Sequence, residues 1–208
     1  MNQIKPVEPL LGTQQVIPVV VLENQQQALG LCGALLDGGV NVIEITLRNQ
    51  FGLRAIELVK SGYPEMLVIA GTVSSAIAVG QVKSAGADAI VSPGVTDAIL
   101  QAVIKQNIPY LPGVASPSEI LQVMEKGFTE CKLFPASVVG GVAALEAYSG
   151  PFPNIKFCPT GGISQSNYQD YLALENVICV GGSWIAPSSA IRSNDWQAIT
   201  DLCNAAGN

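Results

Sequence analysis

The sequence predicts an α/β fold, a (β/α)8 barrel formed by a single domain over residues 1–208. Eight short, β-rich apolar runs begin about 20 to 25 residues apart, which is the room that a parallel strand and its crossover helix need. Helix-like segments lie between these runs, and several of them end at glycine. A chain of 208 residues that is 49% hydrophobic and 12% charged can bury one large core. A doubly wound open sheet is the alternative.

The predicted strands follow one another along the chain, and each ends close to a polar or glycine-rich segment. They are Val16–Leu22, Val42–Leu47, Leu67–Ala70, Ala87–Ser92, Pro109–Leu111, Glu130–Phe134, Ile155–Cys158 and Val177–Val180. Glycine follows the last turn of four of the predicted helices, at Gly38, Gly62, Gly86 and Gly127. Glycine at this position reaches the left-handed conformation that closes a helix. The pattern therefore favours alternating strands and helices throughout the chain.

Charge and hydropathy exclude several classes of partner. The formal net charge is -6, and the lysines and arginines form no basic cluster, so nucleic acid and anionic membranes are not expected to bind. A small molecule is the expected ligand. The longest apolar runs are too short to cross a bilayer, and the first ten residues lack the features of a signal peptide. We therefore expect a cytoplasmic protein.

Cysteine and histidine usage restricts the chemistry further. The five cysteines form no C-x-x-C pair, and three of them lie in predicted strands, so we expect reduced, structural core residues. The chain contains no histidine. A Ser–His or Cys–His nucleophile is therefore excluded, and a zinc site would lack its usual imidazole ligands. Proton transfer must fall to Asp, Glu, Lys, Tyr or water.

Three charged side chains are predicted to point into the barrel near the carboxyl ends of two strands, where barrel enzymes have their active sites. In VIEITLR the apolar residues alternate with Glu44, Thr46 and Arg48, and in ECKLFP they alternate with Lys132 and Phe134. Charged side chains in such an interior must form ion pairs or take part in catalysis or binding. One interpretation is a buried ion-pair cluster. The other is a catalytic site in which desolvated Lys132 forms a Schiff base with a carbonyl substrate.

Lys156 provides a contrast, because it lies in a similar apolar run but near the start of its strand. Strand starts meet at the opposite, non-catalytic end of a barrel. We therefore expect Lys156 to reach solvent or to be paired at that end.

Two glycine-rich turns follow the last two predicted strands. They are CPTGGIS, which contains Gly161 and Gly162, and VGGSW, which contains Gly182 and Ser183. Glycines let main-chain N–H groups approach a phosphate, and the loops after strands seven and eight form the usual phosphate site of such barrels. Each turn alone is equally consistent with a tight connection, but their occurrence in consecutive units favours a phosphate site.

Seven short motifs occur in a fixed order along the chain. They are IEITLR (43–48), AGTV (70–73), SPG (92–94), LPGVASPSE (111–119), KLFPA (132–136), CPTGGIS (158–164) and GGSW (181–184). Together they resemble the 2-keto-3-deoxy-6-phosphogluconate (KDPG) aldolases, which often also act as 4-hydroxy-2-oxoglutarate (KHG) aldolases. The resemblance extends from about residue 16 to the end of the chain.

The resemblance implies roles for the residues of the first motifs. Lys132 would form the Schiff base, and Glu44 would carry protons. Arg48 would bind the substrate carboxylate and, as a neighbouring cation, favour the neutral amine of Lys132. The other residues expected around the pyruvate part of the substrate are Thr72, Pro93 (through the nearby backbone) and Phe134.

The resemblance also implies how the phosphate is bound and what assembly forms. The residues expected at the phosphate are Thr160, Gly161, Gly162, Gly182 and Ser183. The implied protein is a homotrimer that needs no metal and no organic cofactor, and that binds a phosphorylated keto acid and pyruvate. Leu133 and Ser137 depart from the commoner KFFPAE form of the lysine motif, and Ser137 lies where it could alter the entrance.

Several readings of the function stay open on the sequence. The expected reaction is cleavage of KDPG to pyruvate and D-glyceraldehyde 3-phosphate, and of KHG to pyruvate and glyoxylate. Alternatives are the phosphogalactonate analogue, a metal-dependent pyruvate aldolase with carboxylate ligands, and an isomerase or epimerase with Glu44 as base. A non-catalytic phosphosugar-binding protein would leave the buried lysine without a purpose.

Overall fold

A computed structural model describes residues 4–207 and contains parallel strands connected by helices. The strands are β1 (Val16–Val20), β2 (Val42–Thr46), β3 (Leu67–Gly71), β4 (Ala89–Val91), β5 (Tyr110–Leu111), β6 (Gly113–Val114), β7 (Glu130–Leu133), β8 (Lys156–Pro159) and β9 (Val180–Gly182). The helices between them return the chain so that each paired strand runs in the same direction.

The strands form two parallel sheets. The larger sheet has the order β5-β4-β3-β2-β1-β9, and the smaller has the order β6-β7-β8. Consecutive strands from β1 to β5 are neighbours, unlike the strand order of a doubly wound sheet. Two isolated parallel bridges, Phe157 with Val177 and Thr160 with Gly181, connect the smaller sheet to the β9 segment. The fold is therefore α/β with a curled parallel sheet.

All eight predicted strands overlap observed ones, with ends that differ by up to three residues, and in two of them the difference has a physical reason. The fifth, Pro109–Leu111, pairs only over Tyr110–Leu111 and resumes as β6 after Pro112, because proline has no N–H to donate to a ladder. The eighth was expected at Val177–Val180, but β9 covers Val180–Gly182. Glycine is unfavourable in strands in general, so the sequence pattern placed this strand too early.

The helices are short to medium in length, and several of them begin at a side-chain cap. They are α1 (Glu8–Leu11), α2 (Gln25–Asp37), α3 (Gly52–Gly62), α4 (Ala76–Ser84), α5 (Asp97–Gln106), α6 (Pro117–Glu125), α7 (Gly141–Ser149), α8 (Tyr168–Leu172), α9 (Ser188–Ser193) and α10 (Trp196–Ala206). The side chains of Ser75, Thr96 and Ser116 accept main-chain N–H groups at the starts of α4, α5 and α6. Within residues 4–207, no helix combines the length and apolar character needed to cross a bilayer.

The core lies between the sheets and the surrounding helices. Ile43, Ile45, Cys131 and Leu133 are fully buried, as the predicted alternation along β2 and β7 requires. All five cysteines are buried and free of disulfides, which confirms them as structural residues. Burial raises the pKa of Cys131 to about 12, so its thiol stays protonated and unreactive at neutral pH.

The starts of two neighbouring strands carry polar contacts that fix this end of the fold. Lys156, the first residue of β8, donates a hydrogen bond of 2.5 Å from Nζ to the carbonyl of Glu175, which confirms that it is paired at the strand start. Glu130, the first residue of β7, is buried and accepts hydrogen bonds from the N–H groups of Val7 (2.5 Å) and Glu8 (3.2 Å). Burial raises the pKa of this carboxyl. Glu130 thereby ties α1 to the sheet.

We predict that Glu130→Ala lowers the free energy of unfolding by about 1–3 kcal/mol, because the N–H of Val7 loses its acceptor in a buried position. Urea unfolding at neutral pH measures the change. Glu146→Ala, on the exposed face of α7, is the control and should stay within about 0.5 kcal/mol of the unaltered chain. Equal effects of the two substitutions would show that α1 is not held by this carboxylate.

Candidate active site

A buried ion pair connects the larger sheet to the smaller one. Lys132 on β7 and Glu44 on β2 are 5% and 3% exposed, and Lys132 Nζ lies 3.0 Å from Oε1 and 3.2 Å from Oε2 of Glu44. Their strands belong to different sheets, so both side chains must point into the shared interior to meet. The predicted inward orientation of both residues is confirmed.

The pair is physically self-consistent, because each charge compensates the other where water is excluded. Removing either partner would leave an isolated buried charge, which is strongly unfavourable. The sequence analysis expected Arg48 to be the charged neighbour that acts on Lys132. In the structure the charged group that is hydrogen-bonded to Lys132 is the Glu44 carboxylate, which can accept a proton directly from the amine. The effect of Arg48 on Lys132 stays a prediction.

Gly71, the last residue of β3, makes room for the carboxylate. Glu44 pairs in register with Ile69, and its side chain extends over the end of β3. A Cβ atom at Gly71 would overlap with Oε1 of Glu44. The absence of a side chain at this one position therefore lets the carboxylate lie against the strand and face Lys132. The sequence analysis missed this function, because the overlap joins strands that are separate in the sequence.

Aromatic and hydroxyl groups surround the pair. Lys132 Nζ lies 5.5 Å from the centroid of the half-buried Phe134 ring, a cation–π distance that places this ring next to the amine. Thr46, on the same face of β2 as Glu44, donates a hydrogen bond of 2.9 Å to the Val20 carbonyl and thereby fixes β2 to β1. Cys158 is the register partner of Lys132 on β8 and is also buried.

Arg48 and Thr72 lie just beyond the ends of β2 and β3. Arg48 is exposed, and Thr72 is half-buried with a φ of 58°, an uncommon conformation for a β-branched residue. Such strained backbone is concentrated at functional sites. Both residues therefore lie beyond the carboxyl ends of neighbouring strands, and among residues 4–207 neither forms a hydrogen bond or salt bridge with Lys132 or Glu44.

Pro93 lies in an exposed turn after β4, and contacts of buried residues hold this turn in place. Ser92 Oγ lies 2.6 Å from the buried Tyr110 hydroxyl and accepts a hydrogen bond of 3.2 Å from the Gly113 N–H. A Cβ atom at Gly113 would overlap with the backbone of the Pro93–Gly94 turn. The sequence analysis singled out Pro93 but missed the Ser92–Tyr110 contact that positions it. The SPG motif gave no indication of this partner.

The first glycine turn follows β8, and the second begins at Gly182, the last residue of β9. Gly161 and Gly162 have φ values of 97° and 80°, which residues with side chains adopt at a cost. The Asn167 side chain donates 3.0 Å to the Gly162 carbonyl and holds the turn. Within residues 4–207, the N–H groups of Gly162 and Ser183 donate no hydrogen bond, so both are available to an anion.

Thr160 and Gly182 differ from the other residues expected at the phosphate. Thr160 is buried, and its hydroxyl packs against Gly181 and lies 3.9 Å from Cys158 Sγ, so it faces the interior rather than the turn. Gly182 is buried under the Trp184 ring, which a Cβ atom there would overlap.

Among residues 4–207, no group of three or more Asp, Glu, Cys or His side chains could hold a metal ion.

Comparisons with known proteins agree on one family. A model of the family described as "Aldolase: KDPG and KHG aldolase" matches residues 7–202. The 2-dehydro-3-deoxy-phosphogluconate aldolase of Dickeya dadantii (strain 3937) is 45% identical over 199 residues, which cover 96% of this chain and 93% of that protein. The KHG/KDPG aldolase of Escherichia coli (strain K12) is 44% identical over 199 residues, which again cover 96% of this chain and 93% of that protein.

One solved structure is similar throughout. A crystal structure of KDPG aldolase from Legionella pneumophila, with pyruvate captured at low pH as a covalent carbinolamine intermediate, is 45% identical. The two chains superpose with a TM-score of 0.94, over 97% of this chain and 98% of the other.

We predict that Gly71→Ala displaces the Glu44 carboxylate and lengthens its distance from Lys132 Nζ beyond 4.0 Å, because a Cβ atom would occupy the space of Oε1. The free energy of unfolding should fall by up to about 3–5 kcal/mol, the loss expected when a buried ion pair is broken. A crystal structure and urea unfolding measure the two effects.

The control is Gly80→Ala on α4, where the nearest atom to an added Cβ lies at 3.9 Å. In a Glu44→Ala background, Gly71→Ala should cost less than about 0.5 kcal/mol, because the overlapping carboxylate is gone. Additive effects of the two substitutions would contradict the role assigned to Gly71.

Proposed function

The chain belongs to the KDPG and KHG aldolase family, and we propose that it cleaves 2-dehydro-3-deoxy-6-phosphogluconate to pyruvate and D-glyceraldehyde 3-phosphate through a Schiff base on Lys132. The same site would cleave 4-hydroxy-2-oxoglutarate to pyruvate and glyoxylate. The names of the relatives favour the gluconate series over its galactonate analogue.

The buried Lys132–Glu44 pair is the observation that carries the proposal. It joins a nucleophile to a proton acceptor at 3.0 Å in a site shielded from water. Transfer of the ammonium proton to Glu44 leaves a neutral amine that can attack a ketone. A chain without histidine needs this kind of lysine–carboxylate arrangement for the reaction.

Substrate binding orients the ketone for this attack. The Arg48 guanidinium, beyond the end of β2, receives the substrate carboxylate with two parallel hydrogen bonds, a geometry that lysine does not reproduce. Thr72 and the backbone beside Pro93 lie at the ends of the next two strands and complete this carboxylate site. The Phe134 ring covers the methylene side of the substrate and keeps water from the amine.

The reaction then proceeds in two stages on Lys132. Attack of Nζ on the C2 ketone gives a carbinolamine. Glu44 returns its proton to the carbinolamine hydroxyl, which leaves as water, so that a protonated imine forms and the Glu44 carboxylate is restored. Glu44 accepts the proton of the C4 hydroxyl as the C3–C4 bond breaks, and the electron pair of that bond moves to the imine. D-glyceraldehyde 3-phosphate leaves, and a pyruvate enamine remains on the lysine.

The same carboxyl completes the cycle. Glu44 now carries the proton, and it donates this proton to C3 of the enamine, which regenerates the imine. Addition of water to the imine releases pyruvate and restores the amine. One group acting as base and then as acid suits a carboxyl that lies within 3.2 Å of the reacting nitrogen.

The phosphate of the substrate lies at the glycine turns. The free N–H groups of Gly162 and Ser183, with the Ser183 hydroxyl and the neighbouring Gly161 and Gly182, are suited to bind it. Thr160, which faces the interior, contacts the substrate between the imine and the phosphate.

A closed eight-stranded barrel in one domain is the architecture that this site requires. In that barrel β5 and β6, separated by Pro112, form a single bent strand. The bridge between Thr160 and Gly181 and the pairing of β1 with β9 support closure at the other side. The proposed protein is cytoplasmic and trimeric, without a metal or an organic cofactor.

We predict that incubation with pyruvate followed by cyanoborohydride adds one reduced pyruvate to the chain, on Lys132, because an imine is reduced to a stable amine. Mass spectrometry of the digested protein locates the adduct. Lys132→Ala should abolish both the adduct and the cleavage of 2-dehydro-3-deoxy-6-phosphogluconate.

Lys156→Ala is the matched control, because Lys156 lies on the neighbouring strand but at its opposite end. This variant should still form the pyruvate adduct and still cleave 2-dehydro-3-deoxy-6-phosphogluconate. Cleavage should also persist in EDTA and should be faster with the gluconate than with the galactonate epimer. Absence of an adduct from the folded protein would favour the metal-dependent or isomerase reading.

We predict that Glu44→Gln still forms the imine with pyruvate but exchanges the methyl protons about 10²–10⁴-fold more slowly, because an amide cannot act as the base. Proton NMR in deuterated buffer follows the exchange, and trapping measures the imine. An unchanged exchange rate would assign the proton transfer to another group.

A further inference from the structure

A pair of buried hydroxyl groups lies next to the turn that contains Pro93. Ser92 is fully buried and Tyr110 is 1% exposed, and Ser92 Oγ lies 2.6 Å from the Tyr110 hydroxyl. The Tyr110 ring packs edge-on against Phe128, with the ring centroids 5.6 Å apart. Burial raises the pKa of Tyr110, so its phenol stays protonated at neutral pH and keeps this contact.

The hydroxyl pair lies on the side of the sheet that faces the helices. Glu44 points inward and pairs in register with Ile69, which pairs in register with Ala89, so Ala89 also points inward. Side chains alternate along a strand, so Ser92, three residues after Ala89, faces outward. The pair therefore does not face the interior that holds Lys132, and it can act on a substrate there only through the backbone.

The Ser92 hydroxyl joins the two sheets at the point where main-chain pairing between them stops. The N–H of Ser92 donates 3.4 Å to the Leu111 carbonyl, and Pro112 has no N–H to continue the ladder. The next N–H along the chain, that of Gly113, donates 3.2 Å to Ser92 Oγ. Gly113 is the register partner of Lys132. One side-chain oxygen thus connects the end of β4 to the strand beside Lys132.

Gly113 also packs against the turn itself. A Cβ atom at Gly113 would overlap with the Ser92 carbonyl oxygen and with the peptide between Pro93 and Gly94. That peptide therefore rests on the backbone of β6, and the Ser92 side chain holds the residue just before it. Together these contacts set the distance between the turn and Lys132.

We propose that Tyr110 is a positioning residue, which through Ser92 holds the Pro93 turn at the distance from Lys132 that the substrate carboxylate requires. This inference rests on the proposed function, in which the backbone beside Pro93 helps to bind that carboxylate. A binding group that is already fixed before the ligand arrives saves the ligand the cost of ordering it. Support from behind by a packed, hydrogen-bonded side chain is a means of fixing such a group.

The experiment measures how much pyruvate is needed to half-saturate Lys132, by trapping with cyanoborohydride. Tyr110→Phe removes the hydroxyl and keeps the ring against Phe128. The half-saturating concentration should rise about three- to tenfold, the effect of one lost hydrogen bond, because pyruvate must then order the turn. The exchange rate of the methyl protons at saturating pyruvate should stay within about twofold, because Lys132 and Glu44 are unaltered.

Tyr168→Phe is the matched control. Tyr168 is also buried, and its hydroxyl donates 3.4 Å to the Ala206 carbonyl, so this variant too loses the hydrogen bond of a buried phenol. It should leave the half-saturating concentration unchanged. A merely structural loss would affect the two tyrosine variants alike.

Ser92→Ala tests the route through which Tyr110 acts. This substitution removes the contact with Tyr110 and the acceptor of the Gly113 N–H together, so the half-saturating concentration should rise at least as far as in Tyr110→Phe. Adding Tyr110→Phe to Ser92→Ala should then have no further effect, because the contact is already gone. If Tyr110→Phe does not fold, as judged by circular dichroism, Ser92→Ala decides by the same measurements.

Three results would overturn the role of Tyr110. They are an unchanged half-saturating concentration in Tyr110→Phe and Ser92→Ala, additive effects of these two substitutions, and an equal rise in Tyr168→Phe. If pyruvate is trapped normally in the unaltered protein, each of these results overturns this inference alone. If the unaltered, folded protein traps no pyruvate, the proposed function fails, and this inference fails with it.

Discussion

The ion pair between Lys132 and Glu44 is the contact on which the site depends. The two residues lie on strands of different sheets, so their 3.0 Å contact requires both sheets to enclose one interior. A slip of one residue in either strand would turn its charged side chain toward the helices. The fully buried Ile43, Ile45, Cys131 and Leu133 hold the two registers, because each would otherwise enter the polar site. The apolar core and the Lys132–Glu44 pair therefore specify each other.

In the proposed mechanism one end of the site carries the reaction and the other end holds the substrate. Lys132 and Glu44 lie within the strands, where packing restricts movement. The glycine turns lie beyond the strand ends, and main-chain hydrogen bonds from the β7 loop and the Asn167 side chain hold the first of them. The proposed mechanism thus places the chemistry on rigid strands and the recognition of the remote part of the substrate on loops. Binding energy gained at the loops can then orient the reacting carbons against the lysine.

Alternation along the strands made the central pair predictable from the sequence. Glu44 and Lys132 were both recognisable because each interrupts an apolar run with a charge near a strand end. Their direct contact was not predictable, since alternation gives the face of a strand but not the partner across the interior. For the same reason, neither the close approach of Glu44 to Gly71 nor the Ser92–Tyr110 contact was predictable, because both depend on which strands become neighbours. Two predicted strand boundaries were also wrong, at the break at Pro112 and at the glycines of β9. Strand propensity gave no indication of either, because it takes no account of how closely backbones pack.

The pairing of β1 with β9 has a consequence for how the protein is made. Val16 lies opposite Val180, so β1, the first of the described strands to leave the ribosome, receives its second neighbour only when β9 has also been synthesised. Until then β1 has an unpaired edge, and such edges are the sites where unfinished chains associate with one another. The last part of the chain therefore protects the first, and a premature stop before Val180 would release a protein with β1 uncovered.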